Sequence, residues 1–426
     1  MKRLELEEIK SRKRPLIVAT VASVCWSLLS FNAYSVTFVL LSAIVWLYYY
    51  LSRTTLKTLT ITRSIDRERL FSGETLTLKY SVEGSRFISL STTVFPVIRG
   101  DREYFVPKES SFVLSSNGKR EVETKMTFRR RGKKDLSGLV LASKDPLRFF
   151  SHTAKYSAPE FILVLPKVMN IDCFPLRLRE LLPGSRSDFE LMEDPVDFRG
   201  IKEYEREPLN RIHWNASAKI GKLMIKEFGY TAVSNTILYL DLNLSREIFA
   251  RDVWEKIRID YEEIAVQLSL SLVRFTYGSG GRIGLVIVGD DVFRLSSLGR
   301  NWTDFAEVLA DTRGSDQGPQ LSEIIEEDLE RFDPATTVVI ISMYLGEDIL
   351  PQLLKAKSHC SRVVVIIIPF NPRDPWTKRT ISYQMLPRTI ESLKRRAALL
   401  EEEQIVVRVV GDNQSIQEVL VDLENR

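Results

Sequence analysis

Thr236-Ile237-Leu238-Tyr239-Leu240-Asp241-Leu242-Asn243-Leu244-Ser245, residues 236–245 of a 426-residue chain, decides the architecture of its C-terminal half. The first five residues carry no charge and are apolar at successive positions, which reads as a strand buried on both faces. The second five set a carboxylate, an amide and a hydroxyl at alternate positions, immediately where that strand ends. Downstream, Tyr261, Ile264, Ala265, Leu268, Leu272 and Phe275 form an apolar stripe at helical spacing, able to cover one face of a sheet. Gly278 to Gly281 make a turn, and Ile283 to Val288 read as the next strand. Two more β-branched runs, Val338 to Ile341 and Val363 to Ile368, alternate with helical segments around Phe305 to Ala310 and Asp348 to Lys357. A helix from Thr389 to Leu400, a last strand from Ile405 to Val410 and a short helix near Ile416 to Leu423 complete the pattern. Strands apolar on both faces and spaced by helices predict a mainly parallel α/β sheet covered on both sides. Ligands of such sheets sit at the carboxyl ends of the strands, which directs attention to Asp241, Asn243 and Ser245.

Upstream, from Thr54 to about Val168, the period changes to two. Leu76, Leu78, Tyr80 and Val82 alternate with polar residues, as do Val122, Thr124, Met126 and Phe128, and turn signals recur at Gly73, Gly84, Gly100, Asn117-Gly118 and Gly132. Short antiparallel strands with one buried face are expected, and a small immunoglobulin-like β-sandwich over 54–168 is the natural assembly. Residues 169–200, punctuated by Pro175, Pro183-Gly184 and Pro195, read as a linker ahead of an α/β domain over 201–426.

Residues 1–53 read as a short N-terminal segment and two membrane helices. The apolar runs Leu16 to Phe31 and Val36 to Tyr50 are each close to the length that spans a hydrocarbon core of about 30 Å at about 1.5 Å per residue. Only Asn32 to Ser35 separates them, and Trp26, Trp46 and Tyr48 to Tyr50 suit the headgroup region. Lys and Arg lie before the first run and after the second, with none between them, so both flanks and the large C-terminal region are expected on the cytoplasmic side of the cell membrane. Three isolated cysteines give no disulfide framework and no metal knuckle. A formal charge of +4 on a chain of this length argues against nucleic acid as a partner.

The segment Asp197 to Glu227 concentrates charged and aromatic residues just ahead of the α/β pattern. Its Phe198-Arg199-Gly200, Glu203-Tyr204, Arg211-Ile212-His213-Trp214, Ser217-Ala218, Leu223 and Lys226-Glu227 resemble the signature of the domain of unknown function 58 family. Arg130-Arg131-Gly132 and Asp145-Pro146-Leu147-Arg148-Phe149 resemble two further family turns, with Arg148 standing where the family usually has Gly. The resemblance implies a membrane anchor of two helices and, as partners, a MoxR-type AAA+ ATPase and other von Willebrand factor A-like proteins. The Asp241-x-Asn243-x-Ser245 loop resembles the first loop of a von Willebrand factor A domain, whose metal site uses Asp-x-Ser-x-Ser. Hard oxygen donors of this kind suit Mg²⁺, with open positions left for water or a partner's carboxylate. The site is incomplete in sequence: Ser342 stands where a later strand should end in Asp, and Thr303 is the available threonine. The plain alternative makes Asp241 a helix cap.

In the signature, Arg199, Glu203, Tyr204, Arg211, His213, Trp214 and Lys226 read first as a structural clamp. Trp214 and Ile212 would be buried against the α/β domain, and Arg211 and Glu203 would hold a strand in register. The sharper reading is a site for an acidic or phosphorylated partner, built from Arg199, Arg211 and Lys226. No Walker A, nucleophile elbow, dinucleotide fingerprint or zinc motif is present. The expected function is a membrane-tethered adaptor. An enzyme would instead bring His213, Arg211 and Asp241 together on a phosphorylated or acidic substrate, and a passive scaffold would tolerate charge reversal throughout this surface.

Overall fold

The computed structural model describes residues 2–84, 90–99, 104–105, 110–114, 119–145, 147–171, 192–204, 212–231, 235–247, 251–296, 300–315, 317–334, 336–369 and 387–411. The chain divides into two compact units, Met1–Lys167 and Val168–Arg426.

The first unit begins with a strand that periodicity did not suggest, β1 (Lys2–Arg12). Two helices follow, α1 (Arg14–Leu29) and α2 (Ala33–Thr58). The break between them is closed by Asn32, whose side chain accepts from Ser35 N at 3.0 Å while Ser35 returns the contact. Trp46 Nε1 donates to Thr20 Oγ1 at 3.0 Å and ties the two helices together. By length and composition α2 is able to cross a membrane, and α1 is a shorter apolar helix. Ten strands complete the unit: β2 (Leu59–Ile65), β3 (Arg69–Phe71), β4 (Thr75–Gly84), β5 (Leu90–Arg99), β6 (Tyr104–Phe105), β7 (Ser110–Leu114), β8 (Arg120–Phe128), β9 (Gly132–Lys144), β10 (Ser151–Ser157) and β11 (Phe161–Leu165). They form a large, mostly antiparallel sheet with the path β3-β11-β9-β10-β1-β2-β4-β8-β6, and β5 and β7 branch from β9. The alternation read from sequence is the buried face: Leu76, Leu78, Tyr80, Val82, Val122, Met126 and Phe128 all lie in one core.

Strand β1 pairs with β10 over Glu5 to Arg12 and with β2 over Lys2 to Leu4. The residues before α1 and those after α2 therefore belong to one sheet. Where β10 meets the base of α2, His152 is fully buried, with Nδ1 2.7 Å from Ser11 Oγ and Nε2 2.9 Å from Ser52 Oγ. Tyr49 and Phe150 flank its ring at 4.8 and 5.2 Å. Burial, helped by the nearby Arg53 cation, lowers its pKa to about 4.

The second unit opens with a two-stranded ribbon, β12 (Met192–Glu203) and β13 (Met224–Thr231), carrying the short helix α3 (Trp214–Ile220). Strand β12 occupies the end of the stretch read as linker. Six strands then make the main sheet: β14 (Asn235–Asp241), β15 (Arg282–Val288), β16 (Val292–Ser296), β17 (Thr336–Ser342), β18 (Arg362–Ile367) and β19 (Val406–Val409). Their order is β16-β15-β14-β17-β18-β19, or 3-2-1-4-5-6 in chain order; all neighbours are parallel except the edge pair β15 and β16. Helix α4 (Arg251–Gly278) packs on β14, β15, β17 and on α5 (Trp302–Asp311). A single core joins α6 (Leu321–Asp328), α7 (Leu350–His359) and α8 (Pro387–Glu402) to Tyr239, Val338, Ile340 and Val365. The expected helix near Ile416 to Leu423 lies outside the described residues.

Candidate functional site

From β14 the sheet grows first toward β15 and β16, then on the other side through β17, β18 and β19. Helices leaving opposite faces open a crevice at that reversal, at the carboxyl ends of β14 and β17. Asp241 and Ser342 terminate those strands, so the loop singled out in sequence stands at the reversal point.

Ser342 Oγ donates to Asp241 Oδ2 at 2.8 Å, and Asn243 N donates to Asp241 Oδ1 at 3.1 Å. Tyr261, from α4, donates its hydroxyl to the carbonyl oxygens of both Asp241 and Ile341 and so pins the two strand ends. Burial pushes the Asp241 carboxyl up to about 7, against the opposing pull of its Ser342 and Asn243 hydrogen bonds, and the nearby Asp348 adds to the rise. Asn243 is buried and turned inward. Its Oδ1 accepts from Ser315 N at 2.7 Å, while Nδ2 donates to Gly289 O at 3.0 Å and to Pro319 O at 2.8 Å. Side chains at Gly314 or Gly318 would collide with Leu242 O or with the Asn243 amide, so these glycines let the backbone around them close onto the loop that follows β14. Ser245 Oγ accepts from Glu247 N at 3.3 Å.

These contacts test the Mg²⁺ expectation, and the residues do not fit it. Both Asp241 oxygens already accept protein hydrogen bonds, from Ser342 Oγ and Asn243 N. The Asn243 oxygen faces a backbone N–H, and Ser342 offers a hydroxyl, already donated to Asp241, where the site it resembles has an Asp. Thr303 lies in the first turn of α5, whose opposite end leads into the 312–320 loop. Among the described residues no three His, Cys, Asp or Glu side chains gather as a metal site. Among the described residues the Asp241 carboxylate accepts forward from Asn243 N and across the sheet from Ser342 Oγ.

The second wiring of the crevice was not foreseen. Arg396 of α8 places Nη1 2.7 Å from Leu345 O and 3.2 Å from Glu247 Oε2, and Nη2 2.7 Å from Glu347 Oε1. Glu247 Oε1 accepts from Glu347 N and Asp348 N. Gly346 is wedged among Asp348, Glu247 and Ser245, where a Cβ would meet Asp348 at 2.3 Å. The loop after β14 and the loop after β17 are thus stitched together by one arginine and one glutamate. Glu247 follows the quoted loop by two residues, whereas Arg396 lies in the helix read from Thr389 to Leu400, where nothing singled it out.

The signature segment differs from its expected form. His213 is the N-cap of α3, its Nδ1 accepting from Ala216 N at 3.2 Å. Ile212 is buried and bridges to Ile225 within the ribbon, whereas Trp214, expected to be buried with it, is 67 % exposed. Glu203 pairs with Lys222 at 3.0 Å, Tyr204 N donates to Leu223 O, and Lys226 is exposed on β13 opposite Ile201. Arg211 and the side chain of Arg199 lie outside the described residues.

No curated protein matches the chain. Among solved structures, the complex of zinc 2-glycoprotein with prolactin inducible protein from human seminal plasma is 8 % identical, covering 24 % of this chain and 92 % of that chain, with a TM-score of 0.19. The sporulation control protein Spo0M from Bacillus subtilis is 16 % identical over 25 % of this chain and 49 % of that chain, with a TM-score of 0.14. A cycloisomaltooligosaccharide glucanotransferase from Paenibacillus sp. is 11 % identical over 72 % and 44 %, with a TM-score of 0.17. Scores this low support no assignment. The family described as protein of unknown function DUF58 matches residues 205–377, which span the end of the ribbon, β14 to β18 and the crevice between them. The chain therefore carries a DUF58 domain at residues 205–377.

Proposed function

We propose that this protein is a membrane-tethered adaptor in which a von Willebrand factor A-like domain docks a protein partner from the carboxyl end of its sheet. The observation that carries the reading is the wiring of the β14–β17 crevice. Its loops are fixed by mutual hydrogen bonds and one ion-pair node, which preorganises a surface rather than a set of reacting groups. The 3-2-1-4-5-6 strand order with an antiparallel edge strand supports the von Willebrand factor A-like assignment, and the antiparallel sheet of the first unit supports an immunoglobulin-like sandwich as spacer.

The tether is a hairpin of two spans. Strands β1 and β2 pair directly, Arg3 with Thr62, so the chain leaves the sheet before α1 and rejoins it after α2. A single sheet on one side of a bilayer is compatible with two crossings, and this pairing supports the hairpin: α2 is long enough to span, and the shorter apolar α1 would return the chain with the help of interfacial residues. The basic flanks assign that side to the cytoplasm.

The partner implied by the family resemblance is a MoxR-type AAA+ ATPase, together with other von Willebrand factor A-like proteins, in assembly or maturation of membrane or cell-envelope complexes. The test is binding of the full chain in nanodiscs to a MoxR-type ATPase from the same source, compared with Asp241→Ala. Saturable binding weakened by the substitution is expected. Absence of binding at micromolar concentrations, with the nanodisc protein folded, would overturn the partner assignment.

A further inference from the structure

We infer that Arg396 occupies the role of a resident cation in this crevice, so that the docking face is assembled without a divalent metal. The inference concerns the chain alone and stands whichever partner it meets. In the arrangement that the Asp241-x-Asn243-x-Ser245 loop resembles, a metal bridges the loop after the first strand to groups at the end of a later strand. Here the same two loops, after β14 and after β17, are bridged by a guanidinium. Arg396 reaches Glu247 on the first loop, at 3.2 Å, and Leu345 O and Glu347 on the second, each at 2.7 Å. Tyr344 adds its hydroxyl at 3.3 Å and its ring at 5.7 Å.

The guanidinium suits this task because it is permanently charged and its fork of donors meets several acceptors in fixed directions. Its side chain is only 14 % exposed and that of Glu247 31 %, so this pair is screened less by solvent than a surface bridge, whereas the pair to Glu347 lies at the surface. Glu247 completes the bridge by spending its other oxygen on two backbone N–H groups of the second loop, Glu347 and Asp348. The groups a metal would need are meanwhile committed inward, Asp241 to Ser342 and Asn243, and Asn243 to Ser315. Glu347, with a side chain 74 % exposed, covers the outer edge of Arg396 and is the contact most readily exchanged for a carboxylate of a docking partner.

The experiment is hydrogen exchange on the full chain in nanodiscs, read at residues 242–247 and 343–349 with added MgCl₂, with EDTA, and with Tb³⁺ as a luminescent probe. Wild-type exchange in both loops should be the same with MgCl₂ and EDTA. Arg396→Met should raise exchange in both loops by about tenfold while β14 and β17 stay protected, and Arg396→Lys should recover only part of the loss. Glu247→Gln serves as a milder second variant should Arg396→Met fail to fold, and it should loosen the same two loops together. Mg²⁺-dependent protection of the wild-type loops, or sensitised Tb³⁺ emission, that disappears in Asp241→Ala would overturn the inference. Unchanged loop exchange in Arg396→Met, or in Glu247→Gln where that is the variant read, would do the same.

Discussion

His152 in the first unit, fully buried, and Asp241 in the second, half-buried, are both acid–base groups held by serine hydroxyls, and desolvation drives both toward the neutral form. The consequences are opposite. Neutral imidazole offers one donor and one acceptor, and Ser11 and Ser52 satisfy them on its two sides, while burial holds the His152 pKa down at about 4. Asp241 receives two hydrogen bonds that favour its charged form, and the balance against burial leaves it titrating near 7. One group is a fixed rivet between β1, β10 and α2; the other sits within reach of physiological pH.

The largest effect should come from removing the rivet. His152→Ala leaves Ser11 and Ser52 facing a void beside Tyr49 and Phe150, and a loss of about 2 to 4 kcal/mol is expected in the first unit. Hydrogen exchange resolved by unit is the measurement, because β1 should open along with the base of α2 while β14 to β19 stay protected. Loss confined to β10, with β1 unaffected, would mean that the histidine does not join the residues before the helices to those after them.

The second effect is a pair of opposed pH slopes. His152 has a folded pKa below its ordinary 6.5, so the unfolded chain binds the extra proton, and its contribution is complete above about 6.5 and declines as pH falls toward 4. Asp241 has a folded pKa above its ordinary 3.8, so the folded chain binds the extra proton, and its contribution is complete below about 4 and declines as pH rises through 7. After discounting for the partly accessible carboxyl, the second unit should lose on the order of 2 kcal/mol across that interval. Asp241→Asn should flatten the slope. An amide can donate to Ser342 Oγ, which can turn its own proton to Tyr344 O at 2.9 Å. A slope that survives this substitution would assign the titration to another group.

What the sequence made legible follows the strength of each physical signal. Strands β14, β15, β17 and β18 were readable because they are apolar on both faces, and α4 because its stripe keeps one period from Tyr261 to Phe275. Strand β1 was not, since Leu4, Leu6 and Ile9 are scattered among charged residues, only Leu4 is buried, and the register shift between Leu6 and Glu8 breaks the period of two. Helix α3 has too few residues for a period, and its definition comes from its ends, His213 as N-cap and Gly221 at φ 75°. At the site, Asp241 was visible from its place at a strand end. Arg396 was not, because its acceptors lie about 50 and 150 residues away along the chain and no local pattern encodes a bridge of that span.

A third test writes the missing acid into the crevice. Ser342→Asp sets a second carboxyl against Asp241, where two like charges at hydrogen-bond distance resist joint ionisation, and a cost of about 1 to 2 kcal/mol is expected with a steeper pH slope. Added Mg²⁺ should not recover the loss, because the Asn243 oxygen still faces Ser315 N. Thermal unfolding with and without Mg²⁺ decides it. Full recovery would mean that the loops rearrange readily around a metal, and the contrast between a fixed and a poised site would then need redrawing.

The smallest expected change sharpens the rivet side through backbone alone. Arg148 has φ 60°, a left-handed conformation that costs a side chain with Cβ about 1 kcal/mol and costs glycine little. Its turn is held by Arg148 N donating to Asp145 O at 3.1 Å and Phe149 N donating to Asp145 Oδ1 at 2.9 Å, and it delivers Phe150 to the face of His152. The Arg148 side chain is exposed. Arg148→Gly therefore removes strain with little lost packing, though the freer unfolded chain offsets part of the gain, leaving about 0.5 to 1 kcal/mol of net stabilisation. The gain should appear as slower exchange at β10 and at the base of α2, with the second unit unchanged. A destabilised first unit would show that the arginine side chain contributes more than its backbone costs, and that this departure from the family's glycine is itself part of how the turn is held.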